Sequence, residues 1–87
     1  MLAEGISMNC QKAVAVRVGN LLIKNNMSQY GLAQRSGLTK QAIANIINQK
    51  YTSIKLDTVM KIAYGFGMTL VEFLNDPLFL FENIEMD

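Results

Sequence analysis

The sequence marks the start of a helix three times with one device. An apolar residue, then a Ser or Thr, then a second apolar residue four positions further on recur at Met27-Ser28 with Leu32, Leu38-Thr39 with Ile43, and Met68-Thr69 with Phe73. A hydroxyl at the N-cap accepts a hydrogen bond from an otherwise orphaned N–H of the first turn, and the apolar pair closes over that turn as a staple. Thr69 is followed three residues later by Glu72, which completes a capping box. Such signals fit helices and nothing else, and no stretch alternates polar and apolar as a half-buried strand would.

Five helices follow from these starts. Val14, Val18, Leu21 and Leu22 lie at helical spacing and predict a first helix over 9–24, ended by Asn25-Asn26. Ser28 opens a second over 29–36, with Gly37 suited to a left-handed turn. Thr39 opens a third over 39–48, and the polar stretch 49–53 is a loop. Leu56, Val59, Ile62, Ala63 and Phe66 mark a fourth helix that Gly67 stops, and Asp76-Pro77 cuts the fifth short. The expected fold class is all-α, in one domain over 9–76. A flexible N-terminal extension over 1–8 and an apolar, then acidic, tail over 77–87 flank it.

Composition narrows the function. In 87 residues there is no histidine and a single cysteine, Cys10, so His-based acid–base pairs, imidazole metal sites and an internal disulfide are all excluded. Neither a catalytic site nor a cofactor nor a metal is expected. The longest uncharged apolar-rich run, 62–71, is about half of what crosses a bilayer. Met1-Leu2-Ala3-Glu4 has an acid where a secretion signal carries basic residues, which points to a cytoplasmic protein.

Net charge is +1, but its distribution is lopsided. All eight basic residues (Lys12, Arg17, Lys24, Arg35, Lys40, Lys50, Lys55 and Lys61) fall between positions 9 and 61, with Asp57 the single acid among them. From Ile62 onward there are only acids: Glu72, Asp76, Glu82, Glu85 and Asp87. A chain divided in this way can turn a basic face to a polyanion while remaining near neutral overall.

The segment 28–47 is two short helices around a glycine turn, with Ala33 small where they approach and Leu38, Ile43 and Ile46 holding the second on the first. Ile43, Ile46 and Ile47 take the inner face of the second helix, leaving Lys40, Gln41, Ala44, Asn45 and Asn48 outside. Lys donates to guanine O6 or N7, Gln and Asn pair with the adenine Hoogsteen edge, and an Ala methyl can meet a thymine methyl. Expected phosphate contacts are Gln29 at a helix start, Thr39, and Lys50, Thr52 and Lys55 in and after the loop. Arg17, Lys24 and Arg35 belong to the diffuse basic field.

This pattern resembles the lambda-repressor-like helix-turn-helix family, the Cro and xenobiotic-response-element type, from about Val14 to Leu74. The resemblance implies a five-helix DNA-binding domain of bacterial and phage transcriptional regulators, acting as a dimer on palindromic double-stranded DNA. Its base-reading positions fall on Lys40, Gln41 and Asn45, the residues that the helical wheel also exposes. Where many members of that family carry an Arg–Glu ion pair, this chain has Leu22 and Ile47, an apolar exchange of both partners that predicts contact between them. Gln49 stands in place of a usual Gly, Ile54 in place of a common Pro, and Lys55 is a poor N-cap. Gly31 and Gly65 inside helices each cost about 1 kcal/mol relative to Ala.

The apolar run Leu78, Phe79, Leu80 and Phe81 is open to two readings: it folds back to complete the core, or it is the homodimer interface. The function read from the sequence is a sequence-specific transcriptional regulator, a repressor by occlusion. The rival is an interaction module, antitoxin-like, that keeps the fold and binds a protein partner through the apolar tail.

Overall fold

The computed structural model describes residues 9–84. The extension over 1–8 and the acidic end at Glu85 and Asp87 lie outside the described residues. Five helices run in order: α1 (Cys10–Lys24), α2 (Gln29–Ser36), α3 (Lys40–Ile47), α4 (Leu56–Gly65) and α5 (Leu70–Leu74), followed by 3-10 turns at Pro77–Phe79 and Phe81–Asn83. The helix order is the one the caps and periodicity predict.

Local chemistry accounts for four of the five starts. Side chains of Asn9, Ser28, Thr39 and Thr69 accept from the N–H groups of Lys12, Gly31, Ala42 and Glu72. Glu72 Oε1 returns the bond to the Thr69 N–H at 2.8 Å, closing the capping box. Only α4 begins without a side-chain cap, because Lys55 at that position has no acceptor to offer.

Three helices end in one way. The N–H groups of Met27, Lys50 and Met68 reach back to the carbonyls of Leu22, Asn45 and Ala63 at 2.9, 2.8 and 2.9 Å. This six-residue closure needs a left-handed residue just before its donor. Gly67 takes that conformation at φ 73°, whereas Asn26 (φ 51°) and Gln49 (φ 57°) take it with side chains. Gln49, standing where a Gly is usual, is therefore strained, at a position where a β-carbon costs about 1–2 kcal/mol.

The core forms where α1 packs on α3 and α2 packs on both α3 and α4. Val18, Leu32, Ile43, Ile46, Ile62 and Phe73 are its largest fully enclosed side chains. All three staple pairs belong to it or pack against it. Leu22 and Ile47 are also half-buried against this core, on the two helices α1 and α3 that meet.

Two features are tertiary in origin. Gly65 is no mere loss of helix propensity: a β-carbon there would stand 2.9 Å from Leu32 Cδ1, 3.1 Å from Ser36 Cβ and 3.2 Å from the Ser36 nitrogen. The glycine is what lets α4 reach the end of α2. Arg17 does not belong to the diffuse basic field. Its Nε donates to the Phe73 carbonyl at 2.8 Å and its other nitrogens reach the Glu72 carbonyl and Asp76 Oδ2, each at 3.1 Å. Its guanidinium also lies 5.7 Å from the centre of the Phe73 ring. A cation on the last carbonyls of the helix closes the end of α5 and ties it to α1.

The tail follows that anchor. Asp76 caps the turn Pro77–Phe79, which packs against α1, and Phe79 sits 6.0 Å from Phe73, ring centre to ring centre. Leu78 is half-buried and Leu80 exposed, while the side chain of Phe81 lies outside the described set. Of the two readings of the run, folding back describes Leu78 and Phe79.

Candidate nucleic-acid interface

The turn between α2 and α3 is built from its own side chains. Gly37 adopts φ 77°, and the buried Ser36 hydroxyl donates to the Ala33 carbonyl and accepts from the Leu38 N–H. With Leu38 half-buried and Ile43 and Ile46 1% exposed, α3 has one rotational setting on α2. That setting turns Lys40, Gln41 and Asn48 fully outward and leaves Ala44 and Asn45 half-buried along the same stripe.

The outer stripe is internally bonded. Gln41 Nε2 donates to Asn45 Oδ1 at 2.9 Å, and Asn45 Nδ2 makes a longer contact of 3.4 Å to the Tyr51 hydroxyl. Tyr51, 40% exposed, is the site residue that the sequence reading passes over within a polar loop. The available signal was an aromatic ring six residues after Asn45, flanked by Lys50 and Thr52.

Of the basic and hydroxyl residues expected at phosphates, Thr39 is the N-cap of α3, Lys50 and Thr52 follow that helix, and Lys55 is the N-cap of α4. Lys50, Thr52 and Lys55 are exposed. Lys55 and Tyr51 share a shallow cleft with Leu38, Ala42 and Ile46, which brings the start of α4 alongside α3. Thr39 uses its oxygen to cap α3 at 3.0 Å, and its hydroxyl hydrogen remains a donor. At α2, Ser28 occupies the Gly31 N–H, and among the described residues no partner takes the N–H groups of Gln29 and Tyr30. Gln29 itself is half-buried. Lys24 and Arg35 are exposed and add to the field.

Among the described residues no three His, Cys, Asp or Glu side chains gather as a metal site would require, and no helix is long and apolar enough to cross a membrane.

A helix with a polar, amide-bearing outer face, presented by a second helix through a glycine turn and flanked by lysines, defines a helix-turn-helix DNA-binding protein. The sequence pattern of the Cro/C1-type HTH DNA-binding domain matches residues 17–77, and the chain belongs to that family as a sequence-specific DNA-binding regulator. Among solved structures it is similar to a point mutant of the restriction-modification controller protein C.Esp1396I, with a TM-score of 0.68 and 22% identity over 74% of this chain and 82% of that one. At that identity the likeness is one of fold. A comparison with curated protein sequences finds no match.

Proposed function

We propose that the chain represses transcription in the cytoplasm by placing α3 in the major groove of an operator and occluding it. Lys40, Gln41, Ala44, Asn45 and Asn48 face the base edges. Gln29, Thr39, Lys50, Thr52 and Lys55 hold the flanking phosphates, which fixes register without reading sequence. The single observation that carries this reading is the setting of α3: its isoleucines lock it onto the core, while its amide and ammonium groups stand outside beside an uncapped, lysine-bearing helix start.

Operator binding as a homodimer is part of the proposal. Phe79 packs against the core, and among the described residues the exposed apolar side chains open to a partner include Leu80, Val71 and, on α4, the stripe Leu56, Met60 and Tyr64. Leu56 also shares an apolar cleft with Leu74, itself partly exposed. A two-fold dimer would set two α3 helices about 34 Å apart, one turn of DNA.

Selection from a random pool of duplex DNA tests both parts. The expected product is an inverted repeat with half-sites about 10 base pairs apart, centre to centre. Enrichment of no sequence would refute the reading, and a single unrepeated half-site would refute the dimer. Retention of a protein partner without any DNA selection would favour the interaction module.

A further inference from the structure

We infer that Tyr51 is a specificity-determining residue, acting through Asn45 to set the donor and acceptor pattern that Gln41 shows to a base. The inference rests on the proposed role of α3 as the base-reading helix.

The three side chains form a relay whose polarity can be counted. Gln41 Nε2 donates to Asn45 Oδ1, and Asn45 Nδ2 donates to the Tyr51 oxygen. In this sense Gln41 keeps its carbonyl oxygen and one N–H free, the acceptor–donor pair that an adenine Hoogsteen edge requires. Asn45 accepts from Gln41 with one lone pair of its oxygen and has one of its two N–H groups in use. It is then a positioning residue for Gln41.

Reversing the relay changes the surface. An amide turned by 180° exchanges donor for acceptor with almost no change of shape. Asn45 would then accept from the Tyr51 hydroxyl and donate to the Gln41 oxygen, and Gln41 would show a base its donor and acceptor in exchanged positions, which mismatches the adenine edge. A phenol can both donate and accept, so the free protein allows either sense.

DNA removes the choice. Tyr51 lies between Lys50 and Thr52 and in one cleft with Lys55, residues assigned here to phosphates. A phosphate oxygen can only accept, so a Tyr51 hydroxyl touching the backbone gives up its one hydrogen there. Its oxygen must then accept from Asn45, and the relay is held in the adenine-reading sense. Backbone engagement and base reading become coupled through three neutral side chains, a cooperative arrangement of the kind that hydrogen-bond chains allow.

The test compares Tyr51→Phe and Asn45→Ala with the wild-type chain on the selected operator and on operators changed at the base pair whose preference Gln41→Ala abolishes. Phe keeps the ring in the cleft, and thermal melts verify that both variants fold. The expected result is that Tyr51→Phe lowers the adenine preference at that pair about fivefold, the low end of what one bidentate contact supplies. Asn45→Ala lowers it at least as far. In a Gln41→Ala background Tyr51→Phe should leave the preference unmoved, since the coupling partner is gone. An unchanged preference, or a loss equal on every sequence, would overturn the relay and leave Tyr51 a plain packing or phosphate residue. Failure of the wild-type chain to select any DNA would overturn the reading of α3 itself and the relay with it.

Discussion

Two glycines in helices, Gly19 and Gly65, should respond to the same substitution with opposite signs. In both, Ala gains about 1 kcal/mol of helix propensity over Gly. At Gly19, within α1, a β-carbon meets nothing within 4 Å, so that gain stands alone. At Gly65 the added carbon arrives 2.9 Å from Leu32 Cδ1 and 3.2 Å from the Ser36 backbone nitrogen. Leu32 is 0% exposed and cannot swing aside, and Ser36 belongs to the hydrogen-bonded turn that carries α3. Overpacking of this kind costs about 1–3 kcal/mol, and these contacts put it in the upper part of that range, leaving a net loss of about 1–2 kcal/mol. For a domain of this size each kcal/mol shifts the melting temperature by about 4–8 °C. Thermal unfolding followed by circular dichroism should therefore show Gly19→Ala melting higher than wild type and Gly65→Ala melting lower, with the two at least about 8 °C apart. Two shifts of the same sign would refute the close approach of α4 to α2.

Three further outcomes follow from named contacts. Arg17→Ala should lower unfolding stability by about 2 kcal/mol in urea titrations, since it strips charge-assisted bonds from the end of α5, yet leave the salt dependence of DNA binding unchanged. Gln49→Gly should raise stability by about 0.5–1 kcal/mol in the same assay, the left-handed cost of a β-carbon less the entropy of glycine. Lys55→Ser should give α4 the cap it lacks and add about 1 kcal/mol of stability. The same change should weaken DNA binding and flatten its log–log salt slope by about 0.9 per protomer.

What could be read from the sequence is what short-range chemistry determines. Ser28, Thr39 and Thr69 cap within three residues of themselves, so their helices are legible from spacing alone. The same holds for the inward isoleucines of α3 and, by subtraction, for its outer stripe. What escaped depends on residues far apart in the chain. Arg17 reads as one more cation until Phe73 and Asp76 are brought to it. Gly65 reads as a weak point until Ser36 is seen 3.1 Å from its missing β-carbon. Gln49 was legible as a problem, and the Lys50 N–H bonded to Asn45 shows that the chain bears the strain instead of avoiding it. Tyr51 was hidden for another reason: an aromatic in a polar loop carries no periodic signal, and only its hydroxyl beside Asn45 gives it a role.

In the proposed interface some residues read bases and others hold phosphates, and one measurement separates them. Binding of Gln41→Ala and Lys50→Ala to the selected operator and to a scrambled duplex is followed across a range of salt concentrations. Gln41→Ala should lose about 1–3 kcal/mol of preference for the operator with its salt slope intact. Lys50→Ala should keep the preference, bind both duplexes more weakly, and have a slope flatter by about 0.9 per protomer. Equal loss on both duplexes from Gln41→Ala, or a salt slope that Lys50→Ala leaves unchanged, would contradict this division of roles.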